Sequence, residues 1–337
     1  MSETYLLGGY TKRENTGIRQ LTFDSTTQQF SDSQPIATLN NSTFLTLSTD
    51  KIYLFALHKG NEKSGVVAFK RNGENWKLCS EVYSTDVTGC HLVYHEASQT
   101  VFVANYHEGS IDSYSFRNEQ LTPLQRIEHQ GKSVHPNQQS PHVHFVGFTP
   151  DQQFLLVCDL GIDQVIIYRI TESGQLQRVN QFAFPAGTGP RHLIHHATLP
   201  LVFVIGELNN TVNVMHYDAQ FGGTLMQVQT LSTQSNAASA AIRLSRDGKF
   251  LYASTRFDNL MSVFEVAANG ELTLVQQTDS HGDIPRDFIL SANEDFVLVA
   301  HQDSDHLSLF QRNSVNGKLT FVHNKPYAPE CVCLIQA

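Results

Sequence analysis

Val101-Phe-Val-Ala-Asn-Tyr106 is an apolar run that closes on a polar residue, and the pattern recurs along the chain. Its copies are Tyr5-Leu-Leu-Gly-Gly-Tyr10, Tyr53-Leu-Phe-Ala-Leu-His58, Leu155-Leu-Val-Cys-Asp-Leu160, Val202-Phe-Val-Ile-Gly-Glu207, Leu251-Tyr-Ala-Ser-Thr-Arg256 and Val297-Leu-Val-Ala-His-Gln302. Aligned on the fourth residue, the seven stand at 8, 56, 104, 158, 205, 254 and 300, with spacings of 48, 48, 54, 47, 49 and 46. A period of this length marks one repeated supersecondary unit, and it outranks any local assignment of helix or strand.

Each copy has the same surroundings. A turn rich in Gly, Asp or Asn leads into an alternating strand such as Gln164–Ile170 or Met261–Val266. A Gly-x-Leu hairpin signal follows, at Gly174–Leu176, Gly270–Leu272 and Gly317–Leu319, and then a further strand. Another strand precedes the apolar run and ends in a turn such as Pro150-Asp151, Arg246-Asp247-Gly248 or Asn293-Glu294-Asp295. Helical periodicity is nearly absent. Four strands per unit and seven units predict an all-β, seven-bladed β-propeller with four-stranded antiparallel blades. The chain opens on an apolar run that lacks its preceding strand. Pro329–Ile335 resembles Pro285–Leu290, so the C-terminal segment is expected to supply that strand and leave no open sheet edge. Residues 1–337 then form a single domain, because a lone blade cannot bury its faces.

Composition narrows the function. Hydrophobic residues at 40% support a large core, and charged residues at 16% fall below the roughly one quarter of an average chain, so the surface is polar rather than ionic. A net charge of −9 argues against a nucleic-acid backbone as partner. It also repels anionic ligands at long range, so any such ligand needs local arginines. The N-terminus lacks the layout of a signal peptide, and no apolar run approaches membrane-spanning length. Five scattered cysteines without a C-x-x-C pair suit reduced thiols in a cytoplasmic protein.

The repeat also selects residues. Two positions past the alignment point stand Tyr10, His58, Tyr106, Leu160, Glu207, Arg256 and Gln302; six of the seven are polar, directly after apolar strands. The first turn of the innermost strands supplies a second set: Thr43, Cys90, His144, Arg191, Ala240, Arg286 and Glu330. In a propeller such positions line the mouth of the central channel. His144, Arg191, Glu207, Arg256 and Arg286 fall in consecutive blades. Arginines with a carboxylate and an imidazole suit an anionic substrate and proton transfer. Their structural alternative is mutual pairing at the blade tips. His142, two residues before His144, and the set members His58, Tyr106 and Gln302 join Arg286 as candidate substrate-binding residues. His142-x-His144 and His192-x-x-His195-His196 lack the full ligand set of a metal site, so no metal and no cofactor are expected. Gly187 and Gly189 read as shaping the turn that delivers Arg191, and Cys90 as a packed thiol.

Several segments together resemble the lactonase family of seven-bladed propellers, which includes 6-phosphogluconolactonases and fungal carboxymuconate lactonizing enzymes. They are Leu7–Thr11, Ser140–His144 with Thr149–Asp151, Asp159–Asp163, Gly187–His192, Glu207–Val212, Ser245–Tyr252 with Arg256, and Pro285–Phe288. The resemblance runs the full length. It implies a site built from a His, two Arg and a Glu, which match His144, Arg191, Arg256 and Glu207, with His142 competing for the histidine role. It further implies lactone hydrolysis, foremost of 6-phosphoglucono-1,5-lactone. Glu207 or His144 would be the base, Arg191 and Arg256 would bind the phosphate or oxyanion, and Arg286 would assist. The expected partner is a small anionic lactone or phosphosugar, with neither nucleic acid nor membrane involved. A muconate-type cycloisomerase and a non-catalytic binding scaffold are the alternatives.

Overall fold

The computed structural model describes residues 2–218, 224–233 and 238–337. Seven sheets follow one another along the chain, and among the described residues the regular structure is strand apart from one 3-10 turn, Leu160–Ile162. Six sheets are four-stranded and built from consecutive strands. They are the antiparallel blades of the seven-bladed β-propeller anticipated above. The first blade differs: its outer edge is broken into Gln29–Phe30 and Gln34–Thr38, both paired with Gly17–Asp24, so it has five strands. Its innermost strand is Cys331–Gln336, antiparallel to Ser2–Gly9 with Leu7 opposite Leu334.

Two compact units can be distinguished. One comprises Met1–Pro35, His192–Tyr217 and Met226–Ala337; the other comprises Ile36–Arg191 and Asp218–Leu225. In the first, Leu251, Ala253 and Phe264 of the sixth blade pack with Phe203, Ile205 and Val214 of the fifth. The alternate residues Tyr252 and Val263 pack with Phe288, Val297 and Phe310 of the seventh. In the second unit, Phe55 and Leu57 meet Val101 and Tyr114, whereas Phe102 and Ala104 meet Leu155 and Val157. Both faces of a blade's second strand are therefore buried. That removes the polar alternation and leaves the continuous apolar run that betrayed the repeat.

The turns repeat as faithfully. Ser48, Thr149, Ser245 and Ser291 each donate a side-chain hydroxyl to Asp50, Asp151, Asp247 or Asn293 two residues on. Next comes a residue with positive φ: Lys51, Gln152, Gly248 or Glu294. The hairpin glycine is needed twice over. Gly270 has a φ of 85°, and a Cβ there would lie 2.2 Å from Leu201 on the neighbouring blade.

Strand pairing also corrects the second set of residues. The alignment point faces Leu45 in the second blade, His91 in the third, Phe145 in the fourth, Asp287 in the seventh and Cys333 in the first. The residue just before each is Phe44, Cys90, His144, Arg286 and Val332. Thr43 is thus one place out of register and Glu330 two. His144, Arg286 and Val332 are each the extra residue of a β-bulge, which re-aims a side chain out of the ladder.

One buried group gives a pH prediction. His301 is fully buried, with Nε2 2.9 Å from Ser308 Oγ; burial first, and His306 second, push its pKa down to about 3. The unfolded chain, with an ordinary histidine pKa near 6.5, takes up this proton first, so stability is lost as pH falls through the window from about 6.5 to 3. Between pH 6.5 and 5 the loss from this group is about 2 kcal/mol. Urea titrations at the two pH values should show a smaller difference for His301→Gln than for the parent; an equal difference would contradict the assignment.

Candidate active site

Each unit carries its own group of the predicted residues. In the second, Tyr106, His142 and His144 come together. The Tyr106 ring stacks on His142 at 4.3 Å with an 11° interplanar angle and lies T-shaped to the His144 ring at 5.7 Å. His142 Nδ1 lies 2.9 Å from the Tyr106 carbonyl. A carbonyl only accepts, so Nδ1 carries the proton and Nε2 is the basic nitrogen of the neutral ring. The backbone N–H of His142 donates to Asp159 Oδ1 at 2.8 Å, and the other oxygen of that fully buried carboxylate meets His129 Nδ1 at 2.6 Å. His144, 5% exposed, follows in its bulge, and Cys90 Sγ donates to its carbonyl at 3.3 Å. The Cys90 thiol is thus spent on backbone carbonyls.

Arg191 ends a turn organised by Asp163. That buried carboxylate accepts from Gly189 N at 2.7 Å, Gly187 N at 2.8 Å, Gln138 Nε2 at 2.7 Å and the Ser133 hydroxyl. Gly187 and Gly189 have φ of 86° and 60°, so the turn needs glycine at both places. Arg191 itself is 2% exposed, a depth at which arginine is rarely found without a partner. His58 goes elsewhere: its ring lies 5.7 Å from Tyr83, packed across Gly65, which pairs with both residues.

In the first unit Arg256 Nη2 stands 2.8 Å from Glu207 Oε1. Both side chains are nearly buried, at 10% and 13% exposure. The contact is an ion pair rather than an aligned hydrogen bond, and Nε and Nη2 of Arg256 have no hydrogen-bond acceptor in good geometry among the described residues. The guanidinium also lies 5.6 Å from the exposed Phe257 ring. Arg286 Nη1 donates to Gln302 Oε1 at 3.1 Å, and its guanidinium lies 5.7 Å from the Tyr10 ring. Glu330, placed by spacing in the second set, instead takes four backbone N–H groups, those of Lys12, Arg13, Glu14 and Asn15, at 2.8 to 3.1 Å. It is a structural anchor.

Sequence reasoning missed the supporting carboxylates. Asp159, Asp163 and Glu330 reach across to residues 17, 24 and 318 positions away. The one available signal was the quoted Asp159–Asp163 segment, two acids bracketing a short turn. No group of three or more His, Cys, Asp or Glu able to hold a metal ion occurs among the described residues. None of their helices is long and apolar enough to cross a membrane.

Comparisons agree with this architecture. The family model described as lactonase, 7-bladed beta-propeller, matches residues 4–336. A Bacillus subtilis protein named 6-phosphogluconolactonase is 30% identical over 339 residues, covering 97% of this chain and 96% of its own. A solved structure from Lactobacillus plantarum superposes with a TM-score of 0.96 at 35% identity over the full length of both chains. The periplasmic gluconolactonase of Pseudomonas aeruginosa gives a TM-score of 0.92 at 28% identity, covering 100% of this chain and 99% of that one.

Proposed function

The chain belongs to the lactonase family of seven-bladed β-propellers, and on that premise we propose that it hydrolyses 6-phosphoglucono-1,5-lactone to 6-phosphogluconate without a cofactor. The observation that carries this reading is the Glu207–Arg256 pair, a nearly buried carboxylate beside a guanidinium that keeps unused donors. Opening a lactone requires water to attack the ring carbonyl and the resulting oxyanion to be stabilised. Glu207 takes the proton from the attacking water. Arg256 offers its remaining N–H groups to the oxyanion. When the tetrahedral intermediate collapses, the C1 to ring-oxygen bond breaks and the ring oxygen receives the proton that Glu207 holds. The new carboxylic acid then ionises and releases one proton to solvent. His144 and His142 flank Tyr106 as the alternative bases, and His142 has the better-defined basic nitrogen.

We place the reaction in the cytoplasm, where the five free thiols stay reduced. Proton release from fresh lactone, followed above the uncatalysed rate, tests the reading directly. Acceleration that saturates with 6-phosphoglucono-1,5-lactone is expected; no acceleration by pure protein, or faster turnover of muconates, would overturn it. Arg256→Lys should lower kcat about tenfold, because an ammonium cannot hold Glu207 and an oxyanion through separate edges. An unchanged kcat would remove Arg256 from the chemistry.

A further inference from the structure

Two cations share one aromatic ring where the loop after the first strand meets the seventh blade. Lys12 Nζ lies 4.4 Å from the Tyr10 ring centroid, and the Arg286 guanidinium 5.7 Å from the same centroid. Neither is paired with a carboxylate among the described residues. Arg286 bonds the neutral amide of Gln302, and Lys12 has only the ring. The neighbouring acids are engaged elsewhere. Asp303 and Asp305 hold Arg13 at 3.2 and 2.7 Å, and Glu330 is taken up by four backbone amides. The loop is fixed, since the backbone N–H of Lys12 itself donates to Glu330 at 2.8 Å. Lys12 is exposed and Arg286 half-buried, so both cations can be reached by a solute anion. An anion that bridges them relieves their repulsion.

Register adds a second argument. Tyr10 and Gln302 occupy the same repeat position in the first and seventh blades that Glu207 and Arg256 occupy in the fifth and sixth. They therefore stand at the corresponding ends of their own blades. We propose that Lys12, Tyr10 and Arg286 form the subsite for the phosphate of the substrate, distinct from the groups that act on its carbonyl. An ammonium, a guanidinium with free edges and a phenol hydroxyl supply donors for a dianion, and the ring gives both cations partial compensation while the subsite is empty. A neutral hydroxymethyl group at the same place would satisfy neither charge. The protein is thereby selective for phosphorylated lactones. This inference rests on the reading that the protein opens lactones.

The test compares kcat/KM for 6-phosphoglucono-1,5-lactone and unphosphorylated glucono-1,5-lactone in the parent, Lys12→Met and Arg286→Met, with melting curves to confirm folding. The preference for the phosphorylated lactone should fall about tenfold in Lys12→Met and about 30-fold in Arg286→Met, carried by KM, as expected for lost charge-assisted hydrogen bonds. An unchanged preference in both variants would overturn the subsite. If the parent opens neither lactone, the functional reading fails, and calorimetry with inorganic phosphate decides the subsite alone. Binding that weakens about tenfold in Lys12→Met then upholds it. Absence of binding to the parent, or equal binding to both, sinks it.

Discussion

Glu207→Gln should lower kcat for the lactone about 100-fold or more, because the amide keeps the shape of the side chain but cannot take a proton from water. The ion pair with Arg256 sets the accompanying stability change. The amide oxygen can still lie against the guanidinium but no longer neutralises it, and the remaining exposure of 10% and 13% lets water compensate. A loss of about 1–2 kcal/mol is expected, enough to shift the melting curve and too little to empty the folded state at assay temperature. A purely structural Glu207 would show the same melting shift with nearly normal turnover in the folded fraction. That result would move the base to one of the two histidines flanking Tyr106. Parallel kinetics on His142→Asn and His144→Asn would then identify which, since only the true base should cost kcat rather than KM.

The largest stability effect belongs to Glu330→Ala. The side chain is 1% exposed, and its two oxygens take four consecutive N–H groups of the loop Lys12–Asn15. Its own backbone N–H donates to Asp305 at 2.9 Å, and its carbonyl accepts from Tyr10 N at 3.1 Å. Truncation strands several amides at once, each costing about 1–3 kcal/mol unless water enters, so a net loss of about 3–5 kcal/mol is expected. Glu330→Gln should cost less, because the amide oxygen can take the place of Oε2, which accepts three of the four donors. Denaturant midpoints for the two variants should rank in that order. Equal and small losses would show that the loop finds other acceptors.

The blades were legible because every second strand is buried on both sides, so Val101–Tyr106 and its six relatives carry the same apolar signature wherever they fall. Glu207, Arg256 and Tyr106 were legible as breaks in that signature. The innermost strands were harder. A slip of two residues, as at Glu330 against Val332, preserves the alternation of a strand, so periodicity cannot detect it. The single-residue slip at Thr43 has a related cause: bulges in the first, fourth and seventh blades each insert one residue and disturb the count. The anchoring roles of Asp163 and Glu330 left no signal, since an acceptor for backbone amides leaves no mark near those amides in sequence. The uncompensated pair of Lys12 and Arg286 is legible only once their distances to Tyr10 are known.

The pairing of Ser2–Gly9 with Cys331–Gln336 imposes an order of events on a chain made from its N-terminus. Ser2–Gly9 is synthesised more than 300 residues before its partner. Until then one edge of that hairpin is bare, and the amides of residues 12–15 lack the carboxylate that will later receive them. Contacts spanning more than 300 residues are also the slowest to find by diffusion of the chain. Blades made entirely of neighbouring strands can form as they emerge, so the first blade begun is the last completed. A pause or cleavage that removed Cys331–Gln336 would leave one edge of Ser2–Gly9 bare, exposed to association with other chains during synthesis.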